Sequence, residues 1–354
     1  NSTYTFTGLS GGTYTIYLKV TDKAGNTGIS NSQINLPLFL NNKIKQLAST
    51  DTTNLAKDDY NNIRYIGADP NNYISVDGDI WRIIGVMKDI DDGAGNKEDR
   101  VKIIRTSSIG DFAWDTTDST INKGYGVNEW SQADLMKLLN PGYESESVGG
   151  SLYWNSGAGT CYSGSNNKTT SCDFTSTGIK EKLKTLISDA VWNTGTNSAG
   201  SSSTLAKERY LSERSTNNGK ICSSSSECND TVVRTTEWVG KIGLMYPSDY
   251  GYAVGGSTAN REECLNISLP EWNQTWAKYC RLNDWLYYGT NQWTLSPGLA
   301  AENGSWNFYI YRGGSANANY VSAKNGVIPT AFLLADTKII SGDGSSSSPF
   351  VLSN

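Results

Sequence analysis

Apolar and polar residues alternate in short bursts along most of the chain, the two-residue period of half-buried strands. Thr3 to Thr7 alternate, and Gly8 to Gly12 mark a turn. Tyr14, Ile16, Leu18 and Val20 then share one face of a second strand, and Asp22–Asn26 has hairpin-turn composition ahead of a third. Pro37-Leu38-Phe39-Leu40 opens a short helical pattern that ends near Ala48, and the stretch from Ser49 to Asn62 is polar. From Ile63 onward the pattern is mixed. Strands are predicted at Ile63–Ile66, Tyr73–Val76, Ile80–Met87 and Val101–Arg105, the last two forming a hairpin around an acidic loop. A helix is predicted from Ser131, with Ser131 and Asp134 as a capping box, Leu135, Met136, Leu138 and Leu139 as its apolar face and Asn140-Pro141-Gly142 as its stop. A second is predicted from Gly178 to Val191, on the stripe Ile179, Leu183, Leu186 and Ile187. Later strand candidates are Trp238–Tyr246, Gln292–Leu295, Trp306–Tyr311, Asn319–Ala323 and Val327–Leu334, separated by long loops.

Composition narrows the chemistry. The chain has 354 residues, enough for one large and one small domain. Six cysteines fall into three close pairs, Cys161/Cys172, Cys222/Cys228 and Cys264/Cys280, and there is no histidine. Such spacing predicts three local disulfides and an extracellular setting. Zinc is disfavoured, since neither a CxxC pair nor a histidine is present. The absence of histidine also removes Ser-His-Asp and Cys-His catalysis. A net charge of −5 without a Lys/Arg cluster argues against nucleic acid and against anionic membrane surfaces. No apolar run approaches the ~20 residues of a membrane span.

Two resemblances follow. Residues Gly11–Thr27 resemble the final strands of bacterial Ig-like or fibronectin-like surface domains. Such sandwiches need about seven strands; about three are present, which predicts that the natural chain extends upstream. Further on, several motifs occur in order: Asp79-Ile80-Trp81-Arg82-Ile83-Ile84-Gly85-Val86, Glu129-Trp130-Ser131, Tyr246-Pro247-Ser248-Asp249, Asn283-Asp284-Trp285-Leu286, Trp293-Thr294-Leu295-Ser296-Pro297, Gly326-Val327-Ile328-Pro329-Thr330-Ala331-Phe332-Leu333-Leu334 and Ser341-Gly342-Asp343-Gly344. Over residues 63–354 the series resembles an uncharacterised family of secreted Firmicutes domains with a WRVLG…WLRSP…GVRPAF signature. That family is similar to the C-type-lectin-like fold of formylglycine-generating enzymes and phage receptor-binding proteins. The resemblance implies a fold and a surface location, and no activity. Ile328 stands where the signature has arginine, so no role of that arginine carries over.

Five candidate chemistries remain. The loop containing Asp89, Asp91, Asp92, Asn96, Glu98 and Asp99 would suit Ca²⁺, although Arg100 occupies the place of the last EF-hand ligand and a solvated turn explains the same residues. Calcium-dependent sugar binding lacks its Glu-Pro-Asn, Gln-Pro-Asp and Trp-Asn-Asp motifs. An aromatic surface is the stronger candidate: if Trp306, Phe308 and Ile310 point inward, Asn307, Tyr309 and Tyr311 point outward. Tyr287, Tyr288, Asn291, Trp293, Arg312 and Tyr320 lie nearby in sequence. Carboxylate glycosidase chemistry has Glu129, Glu237 and Asp249 as nominal residues. The cysteines complete the set, as local loop staples.

The sequence therefore predicts an α+β chain: a partial Ig-like module at 1–36, a connector at 37–62 and a C-type-lectin-like domain at 63–354. The expected role is non-catalytic, a secreted or cell-surface module binding a glycan or protein ligand without a cofactor. The alternatives are a structural subunit of a surface assembly or pilus, and a carboxylate glycosidase.

Overall fold

A computed structural model describes residues 5–6, 11–117, 124–195, 205–216, 234–255, 260–298 and 306–354. Among the described residues the fold is mixed α+β, mostly strands with a few short helices, in several sheets and without a barrel. Among the described residues no helix is long and apolar enough to cross a membrane.

Among the described residues, strands Gly12–Thr21 and Thr27–Leu36 pair only with each other, closed by the Asp22–Asn26 turn in which Asp22 accepts from the Ala24 and Asn26 amides. The predicted strand at Thr3–Thr7 lies outside the described residues except for Thr5 and Phe6.

The main sheet has nine strands. Its spine is the hairpin Asp79–Asp91/Lys97–Arg105, where near-continuous apolar runs are buried on both faces. Ile63–Tyr65 and Tyr73–Val76 lie end to end along the outer edge of Asp79–Asp91. Gly85 occupies the point of closest approach, where a Cβ would run into the Ile63 carbonyl oxygen. Thr330–Phe332 pairs with the other side of the hairpin, and Phe350–Ser353 runs parallel to Tyr73–Val76. Helix Leu40–Leu47 packs on the sheet through Leu40 and Ile44, both fully buried. A five-stranded sheet is ordered Ala316–Tyr320, Trp306–Ile310, Gln292–Pro297, Asn325–Gly326, Asp111–Phe112.

Both predicted helices are shorter than their patterns. The first begins at Asp134, not Ser131. Ser131 sits in a 3-10 turn and donates to Glu129, while the Asp134 carboxylate accepts from Thr116 instead of closing a capping box. The second is helical only over Glu181–Lys184. The Ser188 amide donates to the Phe332 carbonyl, and Ala190–Asn193 pairs with Glu237–Gly240. The β-branched and aromatic Val191 and Trp192 favour the strand, and the tertiary pairing overrides the helical period.

Disulfides Cys161–Cys172 and Cys264–Cys280 are formed. Cys222 and Cys228 lie outside the described residues. The two bridges suit an oxidising environment. Cys161–Cys172 joins strands Ala158–Gly164 and Lys168–Asp173, eleven residues apart in sequence. Replacing both with serine is expected to cost roughly 2–3 kcal/mol in a urea unfolding curve, the loop-closure entropy of a span this short.

Candidate binding surface

Two loops meet at one end of the five-stranded sheet. The first, Asn283–Asn291, is fastened to the core by its own motif. Asp284 accepts from the Leu286 amide at 2.8 Å, and the Trp285 indole donates to the Tyr65 carbonyl at 2.9 Å. That anchoring leaves Tyr287 half-buried at the surface. The second is the turn between Trp306–Ile310 and Ala316–Tyr320. The Tyr311 amide donates to Ser315 O, and the Gly314 amide returns to Tyr311 O. Gly314 has φ 86°, open to glycine at no steric cost. From beneath, the buried Tyr250 hydroxyl donates to Gly314 O at 2.7 Å.

The loops are tied together. The Tyr287 hydroxyl donates to the Arg312 carbonyl at 2.8 Å, and the Arg312 amide donates to Asn291 Oδ1 at 2.9 Å. The exposed Arg312 guanidinium lies 5.7 Å from the Tyr311 ring. Tyr311 meets Tyr309 edge-on at 6.4 Å, and Tyr309 meets Trp293 at 6.2 Å. Burial, followed by the Tyr311 hydroxyl, raises the Tyr309 pKa, so Tyr309 presents a neutral ring. Tyr287, Asn291, Tyr309, Tyr311 and Arg312 thus form one platform on a fixed backbone.

The remaining aromatic candidates go elsewhere. Trp293 is buried beneath the platform, its indole donating to Phe112 O. The Tyr288 hydroxyl is buried, and its pKa is raised by desolvation against the opposing Arg82 charge. Tyr320 pairs with Trp306, four register positions from the turn, roughly 13 Å at 3.3 Å per residue. There it stacks on Tyr125 at 4.5 Å. The expected facing of the strand also changes: Asn307 is fully buried, donating to Thr294 O, and Trp306 is only half-buried.

Sequence reasoning missed Trp276, 56% exposed within the loop closed by Cys264–Cys280. This loop borders the platform, because Arg281 donates to Trp272 O and its guanidinium lies 5.8 Å from the Tyr287 ring. A tryptophan in the polar span between a close cysteine pair was the available signal.

The carboxylate candidates are held by their own neighbours. Glu129 accepts from the amides and hydroxyls of Ser131 and Thr235. Asp249 accepts from Arg64 at 2.6 Å, Lys102 at 2.5 Å and the Tyr246 amide at 2.9 Å. Burial alone would raise the Asp249 pKa; the Lys102 and Arg64 cations overcome it and hold the group below the usual carboxylate range. Glu237 is exposed at the edge of a polar pocket. In the acidic loop, Asp91 and Asp92 cap their own turn through the amides of Gly93, Gly95, Ala94 and Asn96, and Asp89 adopts φ 53° beside them. Among the described residues no three His, Cys, Asp or Glu side chains converge as a metal site.

No family model, curated protein or solved structure matches this chain.

Beneath the surface lies a charged core that sequence reasoning also missed. Arg64 bridges Asp58 at 2.8 Å and Asp249 at 2.6 Å, with every side chain almost fully buried. Lys102 reaches Asp249 and sits 4.0 Å from the Tyr246 ring; burial presses its pKa down to about 8, with Asp249 opposing. Next to it Glu213 accepts from the Ser248 amide and hydroxyl, and burial pushes its pKa up to about 7.

Proposed function

We propose that the chain is a non-catalytic binding module of a secreted or cell-surface protein, that residues 63–354 adopt a C-type-lectin-like arrangement, and that the platform takes a glycan or protein ligand. The observation that carries this reading is the convergence of Tyr287, Asn291, Tyr309, Tyr311 and Arg312 from two loops joined by hydrogen bonds from the Tyr287 and Asn291 side chains to the Arg312 backbone. Half-buried tyrosines and an exposed arginine offer ring faces and polar tips with little left to order on binding. The short helices, several sheets and long loops support the fold assignment, and the disulfides support the location.

The test is a glycan array and a protein pull-down with the full chain, each repeated with Tyr311→Ala. Loss of a hot-spot aromatic is expected to weaken the strongest hit by about 2 kcal/mol, roughly thirtyfold. Absence of any hit from the folded protein, or hits indifferent to the substitution, counts against the proposal.

The hairpin Gly12–Leu36 favours a second reading, a structural role in a surface assembly. Leu18 and Val20 stand exposed on one of its faces, and Tyr17 and Ile29 on the other. Sedimentation showing filaments or concentration-dependent association through this hairpin would support it.

A further inference from the structure

A cleft of about 380 Å³ opens between the C-terminal end of helix Leu40–Leu47 and the main sheet. Its origin is the shortness of that helix. Eight residues span about 12 Å, and the helix ends at Ala48 while the sheet beneath continues. The floor is apolar and set by strand register: Ile63 is the cross-strand partner both of Val86 on one side and of Lys57 on the other. Lys88, two residues beyond Val86, also lines the cleft. Lys57 and Lys88 therefore flank an Ile63–Val86 floor, and a third lysine, Lys45, stands on the helix opposite.

The charge balance is uneven. Asp99 is the only acidic residue of the lining, and it is bonded to Lys45 at 2.8 Å. Among the described residues no ion pair holds Lys57 or Lys88, and both are exposed. Asp99 also feels the Lys88 charge, and with three lysines against one aspartate the lining carries two positive charges in excess around an apolar floor, in a chain of net charge −5. The volume suits a single six-membered ring with one substituent, the low end of small-molecule sites. The walls are fixed: the Asp58 carboxylate accepts from the Asn62 amide and side chain, holding the turn before Ile63, and Lys88 N–H donates to Asn62 Oδ1.

We propose that this cleft binds a small anionic ring compound, its ring on Ile63 and Val86 and its carboxylate between Lys57 and Lys88. Lysine ammoniums act as point charges on flexible stems and do not discriminate a hydrocarbon ring from a sugar; the shared chemistry is a carboxylate on a compact ring. The site is separate from the tyrosine platform and stands or falls without it.

The experiment is an NMR chemical-shift titration of the full chain with cyclohexanecarboxylate and with glucuronate, against their neutral counterparts cyclohexanecarboxamide and glucose. At least one acid is expected to saturate, with shifts at Ile63, Val86 and Ala48, while its neutral counterpart leaves these signals in place. The tighter acid identifies the ring type. Lys57→Gln/Lys88→Gln is expected to weaken binding at least tenfold, whereas the charge-matched control Lys19→Gln/Lys324→Gln leaves it unchanged. Absence of saturation by both acids, equal binding by the neutral compounds, or full affinity in the Lys57/Lys88 variant would overturn the proposal.

Discussion

Asp249→Ala is expected to lower the unfolding free energy by about 3–5 kcal/mol, the cost of leaving a buried charge without its partner. Asp249 is the one carboxylate shared by Arg64 and Lys102, and it also accepts from the Tyr246 amide at the start of helix Pro247–Tyr252. Without it Arg64 keeps Asp58, but among the described residues Lys102 keeps only aromatic faces, Tyr246 at 4.0 Å, Trp192 at 5.2 Å and Phe332 at 5.5 Å. Losing Asp249 also removes the group that opposes the burial-driven lowering of the Lys102 pKa, so its ammonium form is disfavoured further. Urea unfolding of the variant checks this, with Asp249→Asn as a second variant that retains an acceptor for the Tyr246 amide and loses the charge. A change below about 1 kcal/mol in both would mean that the network contributes little.

The second large effect is a pH dependence from Glu213. Its pKa in the fold is raised to about 7 from the ordinary 4.5, by burial first, with Arg214 and the Ser248 bonds opposing. The folded chain therefore holds this proton more tightly than the unfolded chain. The resulting stabilisation is complete below about pH 4.5 and is lost as pH rises through 7. A shift of this size corresponds to about 3 kcal/mol. Asp115, pushed up to about 7 by burial and by Asp134, acts in the same direction, so Glu213 is isolated by difference. Glu213→Gln keeps an acceptor for the Ser248 amide and removes the titration; its stability relative to the parent is expected to increase between pH 5 and 8. A constant difference across that range would show that Glu213 does not titrate as described.

The legible parts of the fold were those where local pattern and tertiary demand agree. Tyr73–Val76 and the Asp79–Arg105 hairpin read directly from their apolar runs, because the sheet buries those same residues. The motifs carrying the family resemblance have architectural explanations. Gly85 admits a neighbouring strand, Asp249 joins a helix start to two cations, Trp285 fastens a loop to Tyr65, and Trp293 reaches Phe112 O. They hold the sheets together and support the loops that form the platform.

Where pattern and packing diverge, the sequence misled. The stripe Ile179, Leu183, Leu186, Ile187 is buried throughout, so its apolar period was real, yet strand pairing took the chain out of the helix after Lys184. Tyr288 adjoins the platform but turns its hydroxyl into the core, and Tyr320 is carried away from it by strand register. The charged core left a faint signal: Arg64 and Lys102 each stand alone within apolar strand runs, a position that requires a buried partner. Nothing in the sequence paired either of them with an aspartate 147 or more residues away.

Hydrogen–deuterium exchange of the full chain, with and without its tightest array or pull-down ligand, tests the binding surface most directly. Slowed exchange is expected, confined to 287–291 and 309–315, with Tyr311→Ala removing it. Protection centred instead on the pocket edged by Glu237, or on strands away from both loops, would contradict it.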